Sequence, residues 1–131
     1  MNPEIKRAIK DSVVLIQQGR YAYLKTKEKS KNGHFLVTQD KDEVTVIAEE
    51  SNVPKISYEQ IVKWFKLIEI KVSKPFEVVG FLATITKAIA DKSITVLIVS
   101  TFSKDYLLIR EEHLDKAIHA LQELGFPIES E

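Results

Sequence analysis

Alternation with a period of two is clearest where Ile68, Ile70 and Val72 interleave with Glu69, Lys71 and Ser73, which predicts a half-buried strand. After Lys74-Pro75-Phe76 the interval changes. Val78, Phe81, Leu82, Ile85 and Ile89 recur at helical spacing with Thr84, Lys87, Asp91 and Lys92 on the other side, so an amphipathic helix is expected over 79–92. A continuous apolar and β-branched run, Ile94 to Val99, then a polar corner at Ser103-Lys104, then Tyr106-Leu107-Leu108-Ile109, reads as two antiparallel strands and a tight turn. Glu111 and Glu112 suit the first turn of a helix whose stripe of Leu114, Ala117, Ile118, Leu121 and Leu124 stops at Gly125. Phe126-Pro127-Ile128 leaves room for a short last strand.

This order, strand-helix-strand-strand-helix-strand, is that of the ferredoxin-like βαββαβ unit, an α+β fold. Its four-stranded antiparallel sheet runs in spatial order 4-1-3-2 with two helices on one face. The second strand then lies at an edge, and an apolar edge has to be covered by another part of the chain or by a second copy.

The first half is less regular. Pro3 to Asp11 is a short helix by pattern, and Val13 to Ile16 and Tyr21 to Lys25 are strands flanking Gln17-Gln18-Gly19-Arg20. Lys25 to Gly33 is a lysine-rich connection, His34 to Thr38 and Glu43 to Ala48 are further strands, and Tyr58 to Phe65 is either a short helix or an irregular return. Two modules follow, an abbreviated α+β module over 1–66 and a complete one over 67–131.

Composition narrows the function classes. Nineteen basic residues balance nineteen acidic ones, so the chain lacks the electrostatic footprint of a nucleic-acid or anionic-membrane binder. Cysteine is absent, which removes disulfides, thiolate metal sites and a cysteine nucleophile together. Met1 to Ser12 carries no apolar signal core, and no run approaches the roughly 18 apolar residues of a membrane span, so the expected location is cytoplasmic.

Few clusters suggest chemistry. His34, His113 and His119 share no ligand spacing. Asp40, Asp42 and Glu43 lack the glycine and distant glutamate of a calcium loop and read as a hairpin turn. Lys25, Lys27, Lys29 and Lys31, diluted by Glu28, read as a solvated loop, and the four glycines form no phosphate-binding loop. With no nucleophile–base pair, metal cluster or cofactor loop, neither an enzyme nor a cofactor is expected. Two polar features remain. Asp105, directly before Tyr106 to Ile109, enters an apolar strand either as a turn cap or as the holder of an ammonium or guanidinium group. Gly80 heads the first helix of the second module either for close packing or to let a ligand reach exposed amides.

The stretch Lys74 to Ala83, followed by Ile94 to Val99 and Ser100-Thr101-Phe102-Ser103-Lys104-Asp105-Tyr106, resembles an ACT domain. More narrowly it resembles the small bacterial and archaeal tandem-ACT proteins related to the vertebrate cytosolic arginine sensor. Gly19 to Leu24, Thr38 to Ala48 and Trp64 extend the likeness over about residues 12–128. The resemblance implies regulatory binding of an amino acid or similar small effector at an interface between modules or subunits, in an expected homodimer. By position, Val79, Gly80 and Phe81 belong to the glycine loop whose amides receive a carboxylate. Thr101, Phe102 and Asp105 line the opposite wall, with the acid toward a cationic group, and Thr45 and Val46 come from the neighbouring module. The sensor has an acidic residue two places before the loop glycine, where this chain has Val78. A protein–protein interaction module with no ligand is the alternative.

Overall fold

Asn2 opens the first helix, α1 (Pro3–Asp11), its side-chain oxygen accepting from the Glu4 amide at 2.7 Å, with Pro3 in the first turn, where its missing N–H costs nothing. At the other end the buried Ser12 hydroxyl donates to the Ile9 carbonyl at 2.7 Å. The computed structural model describes residues 1–27, 33–72 and 77–130. The elements after α1 are β1 (Val13–Ile16), β2 (Tyr21–Thr26), β3 (Leu36–Gln39), β4 (Val44–Glu49) and β5 (Gln60–Lys71). They continue with α2 (Phe81–Asp91), β6 (Leu97–Ser100), β7 (Lys104–Arg110), α3 (Leu114–Leu124) and β8 (Ile128–Ser130). Much of the lysine-rich run, with Lys29 and Lys31, and the segment Lys74-Pro75-Phe76 lie outside the described residues.

Packing divides the chain into two compact units, Met1–Gln18 with Lys66–Glu131, and Gly19–Phe65. The first eighteen residues therefore pack with the second half of the chain, because the apolar face of α1, Ile5, Ala8 and Ile9, joins the core of that half. In this unit the strands lie in the order β8-β1-β5-β7-β6. Val14 pairs with Ile70 and Ile16 with Ile68 antiparallel, while Val14 pairs with Ile128 in parallel. The βαββαβ order is present, but the expected adjacency of the last strand to the first is not: β1 stands between β8 and β5. Alternation puts Val14, Ile16, Ile68, Ile70, Leu107 and Ile109 on one face, where they form one core with α1, α2 and α3.

Strand boundaries also shift from expectation. Helix α2 begins at Phe81 because Gly80 takes the left-handed conformation, φ 85°. The expected strand over 94–99 is displaced to Leu97–Ser100: Ser93 turns the chain with φ 62° and Ile94 drops into the core instead. Helix α3 ends as expected at Gly125, whose amide donates to the Gln122 carbonyl at 2.9 Å with φ 104°.

In the Gly19–Phe65 unit the strand order is β3-β4-β2 followed by the first half of β5. Ala22, Leu24, Val44, Val46 and Ala48 form its core, against which Val53, Ile56, Ile61 and Trp64 pack. Where a short helix or irregular return was expected over Tyr58 to Phe65, Gln60 to Phe65 instead start β5, a single strand of twelve residues. Ile61, Val62, Trp64 and Phe65 favour a strand, and Lys63 and Lys66 mask that preference in the pattern.

Candidate functional site

The mouth of α2 is built from Val78, Val79, Gly80 and Phe81. A side chain at Gly80 would carry positive φ and meet the Cδ1 of Ile5 at 3.3 Å, so backbone conformation favours glycine here, and the tip of Ile5 on α1 would have to give slightly for any other residue. Phe81 is 1% exposed, its ring edge-on to Phe126 with centroids 6.1 Å apart, and its amide donates to the Val78 carbonyl at 3.2 Å. Its side chain is therefore core, and a ligand meets at most its backbone. Among the described residues the Leu82 and Ala83 amides take no backbone partner, so they are the donors this helix end presents. The Gly80 carbonyl is taken, accepting from the amide and the hydroxyl of Thr84 at 2.9 and 2.8 Å. Val79 projects outward, 86% exposed.

The second group lies on the β6–β7 hairpin. Ser100 pairs with Asp105, and the Thr101 amide donates to the Lys104 carbonyl at 2.9 Å, leaving Phe102 and Ser103 at the tip. Asp105 is 3% exposed, and the Ser100 hydroxyl donates to its Oδ1 at 2.7 Å. The carboxylate is thus held by a cross-strand hydroxyl. The ring of Phe102 is 85% exposed.

Topology brings these two groups to one end of the unit. Lys104, the first residue of β7, pairs with Glu69 at 3.4 Å, two residues before β5 ends and the chain leaves for α2. By alternation Asp105 shares the face of Leu107 and Ile109, the face that carries the helices, whereas Lys104 and Glu69 lie on the other. There Glu69 also accepts from Gln17 at 2.8 Å, and Tyr106 and Glu69 raise the Lys104 ammonium above the ordinary lysine range. Sequence reasoning missed Ser100 as a partner of Asp105, and Glu69 as the link between Gln17 and Lys104. Both depend on cross-strand register, which no local signal carries.

Thr45 and Val46 belong to β4 in the other unit. The Val46 side chain is fully buried in that unit's core, and Thr45 is half-buried on the opposite side of the strand. Asp40, Asp42 and Glu43 form the β3–β4 turn, with Asp40 Oδ1 accepting from the Asp42 and Glu43 amides at 2.8 and 2.9 Å. Among the described residues no group of three or more metal-ligating side chains gathers, and no helix is long and apolar enough to cross a membrane.

Residues 62–123 match the sequence model of the ACT domain. Comparison with curated protein sequences finds no match. Among solved structures, the chain is similar to a Vibrio cholerae protein of unknown function described as a possible transport protein, at 17% identity over 92% of this chain and 95% of that one, TM-score 0.79. It is similar to an Agrobacterium tumefaciens protein at 22% identity over 92% and 93% of the two chains, TM-score 0.70. A third likeness is to the ligand-free regulatory subunit of aspartate kinase from Thermus thermophilus, at 9% identity over 92% and 99%, TM-score 0.67. At these identities the likeness is one of fold.

Proposed function

For a chain that carries an ACT domain over residues 62–123, we propose a regulatory role in which a free amino acid is bound where the mouth of α2 and the β6–β7 hairpin meet. One observation carries this reading: a carboxylate, Asp105, is buried at the end of the sheet where α2 begins, with a single serine hydroxyl donating to it among the described residues. A buried carboxylate is costly unless a cation or several donors compensate it, and an ammonium group supplies that compensation. The Leu82 and Ala83 amides, on the positive end of the helix dipole, suit the ligand's carboxylate. Fold likeness to an aspartate kinase regulatory subunit supports a regulatory rather than catalytic reading.

In this reading the site is completed by a second copy of the chain. Val79 and Phe102 expose apolar surface at the same end, and β6 pairs only with β7 among the described strands. Effector binding then favours one packing of the pair over another, and only that difference in affinity transmits a signal. We place the protein in the cytoplasm on the same reading.

The test is thermal unfolding against each of the twenty amino acids, where a ligand at a hundred times its dissociation constant adds about 2.7 kcal/mol. One of them should stabilise the wild type and leave Asp105→Ala unmoved. The exposed Val79 and Phe102 also favour a second reading, an interaction module that docks a partner protein on this end, and no stabilisation by any amino acid would select it.

A further inference from the structure

On the side of the Gly19–Phe65 sheet opposite its core, β2, β4 and β5 hold a groove of about 260 Å³ lined by Tyr23, Lys25, Glu43, Thr45, Gln60 and Val62. Its charged groups start from pinned backbone. The Lys25 carbonyl accepts from the Glu59 amide at 2.8 Å, and Glu43 is fixed on both sides of its peptide, its carbonyl accepting from the Asp40 amide at 3.1 Å and its own amide bonded to Asp40. Register sets Lys25 between Thr45 on one neighbour and Gln60 on the other, and Glu43 precedes Thr45 by two residues on the same face. The Lys25 ammonium and the Glu43 carboxylate are 3.9 Å apart, the outer limit of an ion pair, and both are about two-fifths exposed. Among the described residues neither charged group has a shorter partner.

We propose that this groove is a second small-molecule site, one that takes a free α-amino acid as the zwitterion. A phosphate or other simple anion placed on Lys25 would face Glu43, and a simple amine placed on Glu43 would face Lys25. A ligand carrying both charges a few ångströms apart replaces one loose ion pair with two close ones. The Thr45 hydroxyl and the Gln60 carboxamide supply hydrogen bonds beside the ligand's polar end, and Val62, two-fifths exposed, receives its side chain. The volume falls just below the ~300–1,000 Å³ of ordinary ligand pockets, which suits a ligand of amino-acid size. This site is independent of the α2 mouth and stands or falls apart from it.

Titration of the full ¹⁵N-labelled chain with glycine, L-alanine and L-leucine, and separately with acetate and methylammonium, tests it. The amides of Lys25, Thr45 and Gln60 should shift saturably with the amino acids and at least tenfold more weakly with either single-charge probe. Lys25→Ala and Glu43→Ala, both at exposed side chains, should each weaken the response tenfold or more while other resonances stay in place. No saturable shift at those amides, an equal response to acetate or methylammonium, or unchanged affinity in both variants overturns the site. Shifts confined to Leu82 and Ala83 overturn it too, while upholding the α2-mouth reading.

Discussion

Ser100 and Asp105 stand opposite each other on β6 and β7, and the serine hydroxyl donates to Oδ1 of the carboxylate at 2.7 Å. Removing a donor from a buried carboxylate exposes the cost of its desolvation, about 1–3 kcal/mol. Ser100→Ala should therefore lower unfolding stability by about that amount. Adding Asp105→Asn should recover part of the loss, because a neutral amide is cheaper to bury. Urea unfolding of the two single variants and the double variant measures the coupling, and strictly additive losses would show that the pair is not energetically linked.

Gly80→Ala should destabilise the fold. An L side chain in the left-handed region costs about 1–2 kcal/mol, more than alanine gains by restricting the unfolded chain. Trimming the neighbour with Ile5→Val relieves the 3.3 Å approach but leaves φ at 85°, so the double variant should regain little. Denaturant midpoints of the three variants separate conformational strain from crowding.

Phe81→Ala should cost about 3–5 kcal/mol, since it removes a fully buried ring from a core with little room to collapse. The loss should appear in global stability, because Phe81 joins α2 to Phe126 and to the α1 face through the same core. A melting temperature unchanged from wild type would contradict that placement.

Glu50 is an assignable contributor to acid sensitivity, as Glu123 is through its pairing with Lys92. Arg20 donates to Glu50 from Nε at 3.0 Å and from Nη2 at 2.6 Å, and this pairing holds the Glu50 carboxyl below its ordinary 4.5. The unfolded chain then binds the proton more readily than the folded one. The contribution is present above the ordinary carboxylate range and disappears as pH falls through the lowered folded value. Glu50→Gln should melt slightly below wild type at neutral pH, with the gap closing on acidification. The guanidinium of Arg20 also lies 4.5 Å from the ring centre of Trp64, the chain's one tryptophan, so intrinsic fluorescence provides a second readout of the same pair.

Much of the complete βαββαβ unit was legible because its signals are local. The Phe81-Ile85-Ile89 stripe, the stop at Gly125 and the helix over Pro3 to Asp11 each follow from spacing or from a cap within a few residues. Strand neighbours are not local. Nothing in Val13 to Ile16 states that it will separate β8 from β5, since its pairing with Ile68 to Lys71 spans more than fifty residues. The start of β5 was hidden by Lys63 and Lys66, which break the apolar rhythm of an otherwise strand-forming run. At the candidate site, residue types pointed to Asp105 and Gly80. They did not reveal that the Phe81 and Val46 side chains would be spent on packing, nor that Thr45 would share a groove with Lys25 and Glu43.

The insertion of β1 bears on how this protein is to be dissected. A fragment starting at Lys66 would retain every element of the βαββαβ order yet lose the strand that bridges its beginning to its end. Ile68 and Ile70 would then be stripped of the antiparallel neighbour that zips them to Val14 and Ile16, and β8 would be cast loose. Excision should respect three-dimensional kinship: the opening sixteen residues, grafted ahead of Lys66 through a short tether, are the minimum that restores the missing seam.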